Sequence, residues 1–385
     1  MSLLFLGHSA GDIGNWCVMS LKILRIFVVG LSLVGLAACA GSGVNMVAVV
    51  DKPLPADART VDILVATTRG TNLPDSPEFT NSRSASLNFA AYTVSIPPGH
   101  ESGKIEVGDD FQNPANGFTV LRERHVSRPD FERELGAGGE IGLFVHGYNT
   151  GFRDALFRAA QMKADSGFPG KLVLFAWPSQ GQLAGYLADR DATNYSRHFL
   201  ADVMTMLGKG RQARQVNVLA HSMGTWLTVE TIRDMRLTGR WTSLSQPRVI
   251  LAAPDIDIDV FRSQMAVIGP LDPPMTVLTS PDDRALKASS RLTGGRDRLG
   301  AMKVDDPRIL DIAKSARLRV VDISSLDSDG PTNHNRFVTL AKYQPRLREI
   351  DQAGGQFRHA GAFVFRTLGN VVGAPFQIVE SAITD

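Results

Sequence analysis

After residue 39 the chain has no cysteine, because its two, Cys17 and Cys39, both lie near the start. The remainder has no disulfide, no cysteine-based metal site and no cysteine nucleophile, so oxidation state does not bear on its core. An excess of charge of one sign is also missing. Lys and Arg number 41 against 39 Asp and Glu, for a formal net charge of +2 with both signs interspersed. That excludes a nucleic-acid surface or an acidic partner as the organising feature. There is no internal repeat and no long low-complexity tract. The apolar run at 23–38 falls short of the roughly 20 residues that a membrane-spanning helix needs. Asp255, Asp257 and Asp259 alternate, but no glycine-containing calcium loop closed by a glutamate surrounds them, so they are expected to be turn and capping residues. No metal and no cofactor is expected.

What is present centres on Gln215 to Gly224, Gln-Val-Asn-Val-Leu-Ala-His-Ser-Met-Gly. Val216, Val218, Leu219 and Ala220 suit a buried strand, and from Met223 onward apolar residues recur at helical spacing. A strand running through a serine into a helix is a nucleophile elbow, which presents the serine on a strained turn. Small residues are needed two before and two after it, and here these are Ala220 and Gly224. Ser222 is therefore the candidate nucleophile. An ordinary tight turn is the plainer alternative.

Towards the start, Lys22 and Arg25 precede or open the apolar run, which ends in Leu36-Ala37-Ala38-Cys39. These are the parts of a secretory signal, and together they resemble a bacterial lipoprotein signal with its lipobox. The resemblance implies lipidation of Cys39, removal of the preceding run, and anchoring to the envelope. Ala40 after the cysteine implies the outer membrane, facing the periplasm. Residues 1–18 fit no part of such a signal, and Met19-Ser20-Leu21-Lys22 reads as a conventional start. The expected organisation is an upstream extension and signal at 1–39, a tether at 40–58, and one domain at 59–385. Oligomeric state is not legible.

Within that domain strand and helix patterns alternate. Strands are expected at 61–67 and 87–96 with a polar loop at 69–83 between them, and further strands at 141–145, 172–176, 215–221, 248–253, 275–279 and 318–323. An additional strand at 118–121 and a short helix at 128–135 fit the less regular segment between. Longer helices are expected from 152, over 186–207 and from 223. A helix entry near Asn149 or Thr150, either of which can serve as N-cap, follows the 141–145 strand. This alternation predicts an α/β fold, with a mostly parallel central sheet covered by helices on both faces.

Five ordered motifs sharpen the reading: His146-Gly147-Tyr148-Asn149, Trp177-Pro178-Ser179, Tyr186 with Asp189, Ala220 to Gly224, and Ala253-Pro254-Asp255-Ile256-Asp257. Together, over about 141–337, they resemble a bacterial α/β-hydrolase family of unknown function. The resemblance implies the α/β-hydrolase fold and a serine-hydrolase mechanism with no transferable substrate. It implies an oxyanion hole formed by the backbone N–H groups of Tyr148 and Met223. It also places the acid just before Arg284-Ala285-Leu286, which makes Asp283 the first choice, with Asp282 and Asp255 as alternatives. Hydrolase chain order puts the base after the acid, leaving His334 and His359. His334 is favoured because its turn-rich loop follows the last strand. His221, beside the nucleophile, is expected to pack under the elbow. Trp177, Tyr186 and Trp226 are candidate walls of an acyl pocket. The implied activity is hydrolysis of an ester or thioester, on a small molecule or a lipid. A binding or scaffold protein on the same fold is the alternative.

Overall fold

Among the residues described by the computed structural model, 47–72, 78–209, 215–328, 330–343 and Ile378–Val379, ten strands form one sheet. They are β1 (Arg59–Thr71), β2 (Phe79–Ile96), β3 (Thr119–His125), β4 (Glu140–Val145), β5 (Lys171–Ala176), β6 (Gln215–His221), β7 (Arg248–Ala252), β8 (Thr276–Thr279), β9 (Arg319–Asp322) and β10 (Ile378–Val379). Their spatial order is β10-β9-β8-β7-β6-β4-β5-β1-β2-β3. From β9 to β1 every neighbour is parallel. The antiparallel members β2, β3 and β10 lie at the two sides.

Among the described residues seven helices accompany the sheet: α1 (Arg128–Leu135), α2 (Phe152–Ser166), α3 (Tyr186–Gly208), α4 (Met223–Leu237), α5 (Ile258–Ile268), α6 (Arg284–Leu292) and α7 (Pro307–Ala316). The central strands are buried on both faces, and alternate residues enter two separate apolar cores. Val216, Val218 and Ala220 of β6 join side chains of α1, α3, α4, α5 and α7. Leu219 joins the opposite core, which α2 covers together with Phe337 and Val338 of the 3-10 turn Arg336–Tyr343. This is the expected α/β-hydrolase architecture, and its period-two patterning produces the two layers.

The 69–83 segment differs from the expected loop. β1 continues to Thr71 and β2 begins at Phe79, with Arg69 opposite Arg83 and register shifts on either side of that pair. Most side chains from Ser82 to Ser86 face solvent, so the ladder is held by backbone bonds and carries no apolar period that a sequence could display. The strand expected at 118–121 is the first half of β3. Within the expected tether, Val49 bridges Val120 and the Val50 N–H donates to the Val120 carbonyl at 2.8 Å. Cys17, Cys39, the lipobox and His359 lie outside the described residues.

Candidate active site

β4 lies between β5 and β6, so the strand order reverses across the sheet there, and β6 leads directly into Ser222. Crevices beyond the strand ends at such a reversal are where open α/β sheets bind ligands. Val145 is in register with Ala220, so the His146-Gly147 turn and Ser222 leave the sheet side by side.

Ser222 stands between β6 and α4 with φ 53° and ψ −124°. A non-glycine residue in that region costs on the order of 1–3 kcal/mol and persists only where its surroundings fix it. Here the Ser222 N–H donates to the Ala252 carbonyl at 2.9 Å, and the Ser222 carbonyl accepts from Thr225 Oγ1 at 2.5 Å. Neighbouring backbone is pressed close. A Cβ on Gly224 would lie 2.2 Å from the His146 carbonyl oxygen, and one on Gly147 would lie 2.8 Å from Ser222 Cβ. Both positions therefore require glycine, which explains the small residue after the serine and the glycine of the His-Gly pair.

His334 and Asp283 meet across the 280–284 turn, with His334 Nδ1 2.6 Å from Asp283 Oδ2. Asp283 is fully buried and is also the N-cap of α6, its Oδ1 accepting the Leu286 N–H at 2.9 Å. Asp282, beside it, points elsewhere. It pairs with Arg336 and accepts from Ser280 Oγ at 2.8 Å and from Asn333 Nδ2 at 2.9 Å. The Arg336 guanidinium is the chief reason its carboxyl is pulled down to about 2. Asp255, the other alternative, accepts from Tyr186 Oη at 3.0 Å and Ser289 Oγ at 2.5 Å, and pairs with Arg298 at 3.2 Å. Burial first, and then the Asp255 charge, push the Tyr186 hydroxyl up to about 12. Asp257 caps α5 through the N–H groups of Asp259 and Val260, and no metal-binding cluster occurs among the described residues.

The His221 ring lies between His334 and Phe337, with centroids 4.7 and 4.6 Å away, and its Nε2 is 3.3 Å from the His334 carbonyl oxygen. Burial, helped by the neighbouring His334, drives its pKa well below the usual imidazole range. The ring is therefore neutral, and its Nε2–H can donate to the backbone of the loop that carries His334. It braces that loop rather than lying beneath the elbow. Ser222 and His334 line the same cleft, and no hydrogen bond joins them there.

On the other side of Ser222, His146 is buried and stacks on Trp177 at 4.7 Å, and the Trp177 Nε1–H donates to the His146 carbonyl at 2.8 Å. Burial lowers the His146 pKa to about 3, so it is a neutral structural ring. Asp189 fixes the following turn by accepting from the Asn149 N–H at 3.1 Å, the Gln180 N–H at 2.6 Å and Ser179 Oγ at 2.6 Å. The helix entry is capped at Gly151 with no side-chain bond, in place of the expected Asn149 or Thr150. Arg69, missed by sequence reasoning because it fell in the expected loop, is fully buried and donates to the Thr150 carbonyl at 2.9 Å and the Thr80 carbonyl at 3.2 Å. Tyr148 lines the cleft, and Met223 opens α4, where its N–H has no preceding helical carbonyl to bond. Of the three aromatic residues expected to wall a pocket, only Tyr186 does so. Trp177 is buried under His146, and Trp226 is covered by the Arg190 guanidinium on α3.

No curated protein matches the chain. Among solved structures, an esterase from Pyrobaculum calidifontis in a monoclinic form is similar with 13% identity and a TM-score of 0.33, covering 78% of this chain and 85% of that one. A hyperthermophilic esterase from the same archaeon is similar with 13% identity and a TM-score of 0.27, covering 69% and 81%. Residues 125–349, more than half of the sequence, match one family along the stretch that holds the five ordered motifs from His146 to Asp257, and the chain belongs to that family, the alpha/beta hydrolases of unknown function (DUF900).

Proposed function

We propose that this hydrolase-fold protein cleaves an ester or thioester through an acyl-enzyme on Ser222, with His334 as base and Asp283 as the acid that orients it. The observation that carries the reading is the 2.6 Å bond between His334 and a fully buried Asp283, in the same cleft as a serine held at positive φ. His334 Nε2 takes the Ser222 proton as Oγ attacks the carbonyl carbon, while Asp283 holds the Nδ1–H tautomer and stabilises the imidazolium. The N–H groups of Tyr148 and Met223 receive the oxyanion, a donor pair in which each member is worth roughly 3–4 kcal/mol. The imidazolium protonates the leaving group, and water, deprotonated by His334, then releases the acid and restores Ser222.

Labelling with a serine-reactive fluorophosphonate tests this. Labelling that disappears in Ser222→Ala supports the enzyme. A wild-type protein that resists labelling would return the molecule to the binding or scaffold class, since fold alone does not fix function. We also propose a lipid anchor at Cys39. Its test is incorporation of a fatty-acid analogue, which Cys39→Ser should abolish, and incorporation that survives the substitution would refute it.

A further inference from the structure

The cleft that holds Ser222 encloses about 830 Å³ and straddles the edge of the sheet, so its walls belong to both cores. On the side of α3 and α6 the wall is mixed: Leu286, Ala288 and Leu292 line it beside Tyr186, Ser289 and Asp255, which are bonded to one another. On the side of α2 it is chiefly apolar, with Phe144 and Phe157 buried in the core and Ile105 and Phe111 laid over them. Phe111 lies 4.9 Å from Phe157 and is held at φ 61°. Ile105 and Phe111 come from the 97–118 segment, which is fastened to α2 through His100 and Asp165. The charged side chains bordering this lobe have partners of their own. Lys104 pairs with Glu101, Arg158 donates to Gln161 Oε1 at 2.9 Å, and Asp154 lies near Arg153.

Building on the reading of Ser222 as nucleophile, we propose that this lobe is an acyl-chain site. The substrate is then an ester of an aliphatic carboxylic acid of medium or long chain, and Ile105 and Phe111 set the length accepted. A chain there replaces water along an aromatic and aliphatic wall that ends at the serine. As the bond from Ser222 Oγ to the acyl carbon forms and the bond to the alcohol oxygen breaks, the proton passes through His334 to the departing alcohol, and the chain stays in the lobe.

The test uses the full-length protein with p-nitrophenyl esters from acetate to dodecanoate. Each methylene that fits should raise kcat/KM roughly fourfold, the equivalent of about 0.8 kcal/mol of burial. Ile105→Trp should lower the ratio of kcat/KM for octanoate over acetate at least tenfold, and Phe111→Ala should shift the preferred length upward. A second arm reads the lobe without chemistry, by calorimetric titration of Ser222→Ala with butyrate and dodecanoate. Dodecanoate should bind more tightly, and Ile105→Trp in the same background should weaken it. Esters left intact while dodecanoate binds would overturn the nucleophile and leave the lobe standing. Chain-independent binding, or an octanoate-to-acetate ratio unmoved by Ile105→Trp, would overturn the lobe.

Discussion

Ser222 is held at φ 53° by the strand before it and the helix after it, so the molecule carries local strain at the residue proposed to react. Glycine occupies that region without the Cβ clash, whereas alanine keeps it. Ser222→Gly and Ser222→Ala should both abolish hydrolysis, yet Ser222→Gly should be the more stable of the two by about 1 kcal/mol. Urea denaturation of the purified pair measures this, and equal midpoints would mean the φ angle relaxes at no cost. Asp283 offers a second separation, because its two oxygens have different duties. Asp283→Asn retains a good N-cap for α6 but presents the wrong partner to His334, so turnover should drop by about 10⁴ with little change in stability. Asp283→Ala should lose the same turnover and, in addition, about 1 kcal/mol of stability for the lost cap. Asp282→Asn should leave far more activity than either, since Asp282 binds Arg336 and Asn333 and makes no contact with the imidazole.

At the scale of elements, the 97–118 segment is tied to α2 by one buried imidazole as well as by Gly103, whose carbonyl accepts from Arg158 at 3.3 Å. His100 Nδ1 is 2.8 Å from Glu106 Oε2 and Nε2 is 2.7 Å from Asp165 Oδ1, and Asp165 also accepts the Gly103 N–H at 2.7 Å. Burial by itself would lower the His100 pKa, but its bonds to Asp165 and Glu106 outweigh that and raise it. The folded state therefore binds this proton more tightly than the unfolded chain does. The resulting stabilisation is complete below the unfolded value of about 6.5 and is lost as pH rises through the higher folded value. Denaturation at a series of pH values should show that decline in the wild type, and His100→Gln should flatten it. A decline that persists undiminished in His100→Gln would assign it to another group.

For the whole molecule, Arg69 adds buried polar bonds between parts that also pack through Phe79 and Phe152, whose rings lie 5.0 Å apart. It sits where the antiparallel β1–β2 ribbon extends past the parallel core, and its guanidinium bonds carbonyls in β2 and in the turn before α2. Burial draws its pKa down to about 10, against the opposing charges of Asp189 and Asp154. Arg69→Met would strip the buried Asp189 of that counter-charge and leave two carbonyls without donors. A loss of about 3–5 kcal/mol is expected, with activity falling as the Asn149 turn loosens. Thermal unfolding alongside kcat measures both, and an unchanged melting temperature would show that the ribbon and core are held together by other means.

Much of this arrangement was legible in the chain because it depends on neighbours in sequence. Short, nearly continuous apolar runs at 141–145, 172–176 and 216–220 determine strands buried on both faces, and the small-x-Ser-x-Gly pattern between a strand and a helix determines the turn at Ser222. Chain order then narrowed the partners of Ser222 to a few residues. Only the tertiary structure decided which aspartate meets His334. Asp282 and Asp283 are adjacent and chemically identical, and the bonds of Arg336 and Asn333 to Asp282 leave Asp283 to face His334. The β1–β2 extension was hidden because its side chains face solvent, and Arg69 with it, since a buried arginine has no local signature. Nor does any pattern along the chain reveal that Ile105 and Phe111, far from β6 in sequence, wall the cleft beside Ser222, while Trp177 lies beneath it. Periodicity records which face of an element is buried, but the identity of what buries it is settled only when distant segments pack together.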